Sequence, residues 1–184
     1  HKLGTVAHLA QLGVARMNAL QAARLGLGTV THFYGLFEAM YDSSQIQPFP
    51  ERYNYNDEQW RFGQVAQQWK LVTPRSEKWW ALLKELKSLD VTLDPTMTAY
   101  LSGRAVIRPR SAEWHTPYTL PSLWDFYTPN RANHGSYFFD WTTWEEVAWS
   151  NFFHVWHQFI NDYKGLGGRV APGSDAGFIY NTYG

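Results

Sequence analysis

The segment Gly4-Thr5-Val6-Ala7-His8 returns almost unchanged, 24 residues later, as Gly28-Thr29-Val30-Thr31-His32. Each copy is short, partly β-branched and apolar up to its final histidine, as a buried parallel strand should be. Between them, Val14 to Leu25 is rich in Ala, Leu, Met and Arg, which favour helix. Val14, Met17, Leu20 and Ala23 recur at helical spacing and give one apolar face. Leu9 to Gly13 reads as a turn, and Gly26 stands where a helix C-cap is expected. Strand, helix and strand within about 30 residues predict a βαβ unit with a right-handed crossover and two parallel strands.

The rest of the chain extends this alternation. Tyr41 to Asn56 is a loop by its Pro, Asp and Ser content, and Asp57 to Lys70 is expected to hold a short helix. Ser76 opens an amphipathic helix with Trp79, Trp80, Leu82, Leu83, Leu86 and Leu89 on its apolar side. Val91 to Thr96 reads as a third strand, stopped by Pro95. Residues 98–142, with four prolines and many aromatics, read as irregular cover. A last helix starts at Thr143, with Thr143 as N-cap and Glu146 completing a capping box. Ala148, Phe152, Val155, Phe159 and Tyr163 line its apolar face, and Lys164-Gly165 closes it. Gly168 to Ala171 is the fourth strand. The class is therefore α/β, either half of an eight-stranded barrel or part of an open doubly wound sheet. Gly165-Leu166-Gly167-Gly168 precedes a strand rather than following one, which argues against a nucleotide-binding sheet.

Net charge is zero with neutral histidines, so no nucleic-acid partner or polybasic membrane contact is expected. No apolar run approaches the ~20 residues of a membrane span. Cysteine is absent, which removes disulfides and thiolate metal sites without fixing a compartment. Ten Trp within 17% aromatic residues predict either packing of long insertions or an aromatic-walled pocket.

The candidate chemistry lies at the strand ends. His8 and His32 occupy matching places in consecutive repeats, so adjacent parallel strands, ~4.8 Å apart, would carry both to one mouth. Two imidazoles at that separation can share or bridge a metal such as zinc. Asp175, in Gly173-Ser174-Asp175-Ala176-Gly177, follows the fourth strand. It reads either as a capping or Asx-turn residue or as a carboxylate that ligates metal and takes a proton from bound water. His115 and His134 read as surface or packing residues. His154 and His157 are three apart on the last helix and read as structural.

Taken together, Thr5-Val6-Ala7-His8, Thr29-Val30-Thr31-His32-Phe33-Tyr34-Gly35, Leu93-Asp94-Pro95-Thr96 and Gly173-Ser174-Asp175-Ala176 resemble strands five to eight of the metal-dependent amidohydrolase superfamily. The branch is the imidazolonepropionase-like one, which includes related dipeptidases. The resemblance implies a partial TIM (β/α)8 barrel, with residues 1–184 a fragment of the catalytic barrel and insertions at about 34–88 and 98–142. It implies a hydrolase that cleaves a carbon–nitrogen bond in an amide, cyclic amide or dipeptide by metal-activated water. It assigns His8, His32 and Asp175 to one or two divalent ions, expected to be zinc, makes Asp175 catalytic, and offers Tyr34, Thr96 and Tyr100 as substrate contacts. The partner is a small-molecule or short-peptide substrate.

The family's His-x-His and strand-four lysine have no counterpart here and would lie before His1. The chain opens at His1-Lys2-Leu3 without a Met, so a piece of a larger protein, inactive alone, is expected. The compartment stays open between cytoplasmic and periplasmic or secreted. The rivals are a non-catalytic carbohydrate- or peptide-binding module with an aromatic-lined surface, and a structural fragment with buried, satisfied histidines.

Overall fold

Four short strands, β1 (Val6–His8), β2 (Thr29–Thr31), β3 (Thr92–Asp94) and β4 (Arg169–Val170), form one parallel sheet in the order β1-β2-β3-β4. The computed structural model describes residues 4–9, 17–42, 58–132, 138–177 and 180–181. Consecutive parallel neighbours require crossover connections, and α1 (Ala19–Arg24) provides the first. The expected alternation of strands and helices is thus observed, and the class is α/β.

The helix α1 is shorter than the expected Val14–Leu25. Met17 is not helical, and residues 10–16 lie outside the described residues. Asn18 ends the approach by capping. Its side chain accepts from the Gln21 amide at 2.9 Å, and Gln21 Oε1 accepts from the Asn18 amide at 2.9 Å. The buried face is Ala19, Ala22 and Ala23, while Met17 is exposed. Strand β1 departs from the buried strand expected of it: Val6 and His8 are exposed. Among the described residues the strand has a sheet neighbour on one side only.

Two compact units divide the chain. The first comprises 1–53, 68–96 and 154–173, the second 54–67, 97–153 and 174–184. In the first, α3 (Glu77–Ser88) starts at Ser76 as expected and buries Trp79, Leu82, Leu83 and Leu86. Leu89, assigned to the same face, lies past the helix end and is 37% exposed. A 3-10 turn at Phe37–Met40, not expected from sequence, adds Phe37 to the core. Phe159 is the hub, with ring centroids 4.9 Å from Trp79, 5.4 Å from Phe37 and 5.6 Å from Trp156. Burying each such side chain contributes about 1.5–3 kcal/mol. Trp79 Nε1 donates to Asp162 Oδ2 at 3.1 Å, and Arg75 holds the same carboxylate at 3.0 and 3.1 Å.

The second unit contains α2 (Glu58–Ala66), α4 (Met97–Arg104), α5 (Ile107–Arg110), α6 (His115–Tyr118) and α7 (Pro121–Tyr127). Residues 98–142, expected to be irregular, are therefore largely helical as far as Tyr127. Pro109, Pro117 and Pro121 each fall in a first helical turn, where a missing N–H breaks no helical bond. Trp149 centres this core. It stacks on Phe62 at 4.1 Å and on Tyr100 at 5.5 Å and donates Nε1–H to the Phe62 carbonyl at 3.1 Å.

The last helix, α8 (Thr143–Gly165), buries the expected Ala148, Phe152, Val155, Phe159 and Tyr163. Its cap is Thr142 rather than Thr143. Thr142 Oγ1 accepts from the Trp144 amide at 3.2 Å, and the Thr142 amide donates to Glu145 Oε2 at 2.9 Å.

Candidate functional site at the carboxyl ends of the strands

The last residue of β1 is His8, and His32 follows β2 by one residue. In the sheet Val6 pairs with Thr29, Ala7 with Val30 and His8 with Thr31. The two Gly-Thr-Val-x-His copies are therefore one residue out of step. The backbone turns left-handed at His32, with φ 63°, and its amide donates to the Asp94 carbonyl at 2.8 Å. The two imidazoles meet all the same, with centroids 4.5 Å apart and planes at 61°.

Tyr34 completes a three-ring cluster. It stacks on His8 at 5.0 Å and 26°, lies 5.9 Å from His32, and is buried. Gly35 sets its position by letting the loop fold back against α1. Its φ is 82°, its carbonyl accepts from the Ala19 amide at 2.9 Å, and a Cβ would stand 2.8 Å from the Ala19 nitrogen.

Each histidine is oriented by a neighbour. His8 Nδ1 lies 2.9 Å from the Leu9 carbonyl. A carbonyl only accepts, so Nδ1 donates to it and Nε2 is the nitrogen left outside that bond. His32 Nδ1 is hydrogen-bonded to Thr96 Oγ1, and both residues are buried. Thr96 has φ 44°, a left-handed conformation that a β-branched residue rarely adopts. Burial first, and the charge of His8 second, lower the pKa of His32 to about 4. His32 is therefore neutral at physiological pH, the state in which an imidazole ligates metal.

Asp94 ends β3, beside Thr31 of β2. Its Oδ1 is buried with no hydrogen-bond partner. The chain leaving β4 passes so close that a Cβ on Gly173 would stand 2.2 Å from that oxygen. In the sequence Asp94 stands out only within the third strand and its Leu93-Asp94-Pro95-Thr96 motif, with no role of its own. The signals available were its place at the strand end and the glycine required opposite it.

The first unit thus brings together His8, His32, Tyr34 and Thr96. Asp175 and Tyr100 belong to the second unit. Asp175 is exposed, with φ 54°, near a turn tied by Asn181 Nδ2 donating to the Ser174 carbonyl at 2.6 Å. Burial, and then the Asp175 charge, raise the pKa of Tyr127. Tyr100 is 3% exposed within the Phe62–Trp149 stack.

Among the described residues, no group of three or more His, Asp or Glu side chains is placed to hold a metal. His115 is a packing residue. Its Nε2–H donates to the Pro109 carbonyl at 2.7 Å, and Nδ1 meets Thr119 Oγ1 at 2.9 Å. His154 and His157 are exposed, and His134 lies outside the described residues. None of the described helices is long and apolar enough to cross a membrane. Compared with protein-family models, curated proteins and solved structures, the chain matches none of them.

Proposed function

We propose that this chain supplies one wall of a metal-dependent hydrolytic site acting on carbon–nitrogen bonds, as in the imidazolonepropionase-like amidohydrolases. The observation that carries this reading is the meeting of His8 and His32, 4.5 Å apart at the carboxyl ends of adjacent parallel strands. Supporting it, His32 and Thr96 hold left-handed backbone conformations, which cost about 1–3 kcal/mol each and concentrate at functional sites. In this reading β1 to β4 are strands five to eight of a (β/α)8 barrel. Each outer strand, β1 and β4, has one sheet neighbour among the described residues, which suits a segment of a longer sheet.

The donor chemistry fits a zinc-type ion in part. Two imidazoles, one with Nε2 outside its own hydrogen bond and the other kept neutral by burial, suit two of its positions. The remaining positions need donors beyond the described cluster. When bound, such an ion supplies a water of lowered pKa and polarises the scissile carbonyl. His8 holds the site through Nε2, oriented by the Leu9 carbonyl. His32 ligates or holds the substrate carbonyl through Nε2, oriented by Thr96. Tyr34 backs His8 and fixes the ring plane. The proton transfer to the leaving nitrogen is the role that the resemblance assigns to Asp175.

Isothermal titration of the chain with Zn²⁺ tests this. One saturable event is expected, at least tenfold weaker in His8→Ala and in His32→Ala, with the far-UV spectrum kept. Unchanged binding in both variants removes the metal reading. Dipeptide hydrolysis by the isolated chain, at rates comparable to a complete family member, removes the partial-wall reading.

A further inference from the structure

Away from the histidines, the second unit has an open cleft of about 330 Å³, within the size range of small-molecule sites. Trp60, Gly63, Gln64 and Gln67 supply one side. Their spacing of i, i+3, i+4 and i+7 puts them on one face of α2 and the turn that continues it. Arg131, Phe139, Asp140 and Glu145 also line it.

The charges in this cleft are already engaged. Arg131 pairs with Asp140 and lies over the Phe139 ring at 5.0 Å. Glu145 accepts from the Thr142 amide as the cap of α8, and Gln59 Oε1 accepts from the Asp140 amide at 2.7 Å. The side chains of the cleft left without a hydrogen-bond partner among the described residues are two neutral amides. The Gln64 and Gln67 amides, half-buried, are held by no neighbour among the described residues. Each offers two donors and an acceptor. The half-buried Trp60 indole lies on the same face, and Gly63 leaves room between them, a Cβ there meeting only Glu145 Cγ at 3.7 Å.

We infer that this cleft binds a neutral sugar ring, its hydroxyls on the Gln64 and Gln67 amides and its apolar face on Trp60. Hydroxyls both donate and accept, as the amides do, and the C–H face of a pyranose packs on an aromatic ring. An anionic ligand would face the Asp140 and Glu145 carboxylates, with Arg131, the one cationic side chain among the described lining residues, already paired to Asp140. This inference is independent of the metal reading, since none of its residues belongs to the histidine cluster.

Saturation-transfer NMR on the full 184-residue chain tests it, with methyl β-glucoside and N-acetylglucosamine as neutral probes and glucuronate as the charged one. Saturable binding of a neutral probe is expected, with glucuronate at least tenfold weaker. The double variant Gln64→Leu/Gln67→Leu keeps side-chain size and is expected to lose the signal. Gly63→Leu, which fills the open position without touching the amides, is expected to lose it as well. Far-UV and near-UV spectra identify variants that keep the fold. No binding of either neutral probe overturns the inference, as does undiminished binding in a folded variant or equal binding of glucuronate.

Discussion

Thr96 combines two costs that a structural residue would avoid: it is β-branched in a left-handed conformation, and its hydroxyl is buried. Both are explained if its task is to hold His32 Nδ1. Thr96→Val keeps the shape and removes the bond, leaving a buried nitrogen unpaired at about 1–3 kcal/mol. The nitrogen-15 shifts of the His32 ring are expected to move toward a tautomer mixture in Thr96→Val and to return in Thr96→Ser. Ring shifts identical in wild type and valine variant would leave Thr96 a packing residue. At Gly173 a methyl group would collide with Asp94 Oδ1. Gly173→Ala is expected to cost about 1–3 kcal/mol in urea denaturation, with much of it recovered by adding Asp94→Ala. No recovery would place the cost elsewhere. His8 and His32 were legible as a pair because the repeat is in the sequence. Their one-residue offset was not, because register depends on strand pairing and on a left-handed turn that side-chain pattern does not encode.

At the scale of elements, α3 and α8 were legible because their apolar residues repeat over three turns or more. The helices α4 to α7 were not. Their lengths run from four to eight residues, too short to show a period, and their prolines resemble breakers unless their place in the first turn is known. The cap of α8 shows how small such an error is: Thr142 and Thr143 each have a Glu three residues on, and only geometry chooses between them. Thr142→Ala is expected to destabilise by about 1 kcal/mol, and Thr143→Ala not to destabilise, because Ala is the better helix former. Equal melting points for the two variants would contradict the observed cap.

Across the whole molecule, the alternation of strand and helix predicts a parallel α/β sheet, and that is what forms. The division into two compact units was not legible, because each draws on distant segments and aromatic residues look alike in either core. The neutral, buried His32 gives the whole chain a pH response. Its pKa is about 4 in the folded state against 6.5 when unperturbed. Between those values the unfolded chain holds the proton and the folded chain does not, so stability rises with pH across that window. On acidification, stability therefore falls from about pH 6.5 to about pH 4 and levels off below, as far as this group is concerned. The exposed pairs Arg24–Glu85 and Arg169–Asp90 lower their carboxylates' pKa values. Their contribution is lost below the ordinary carboxylate range, on the acid side of the His32 window. Urea midpoints of the metal-free chain from pH 7 to pH 4 should therefore drop steadily, and His32→Gln should flatten the drop between pH 6.5 and 5, where few carboxylates titrate. A slope unchanged in that variant would mean that His32 is protonated in the folded chain, and the burial that makes it a neutral ligand would no longer account for its behaviour.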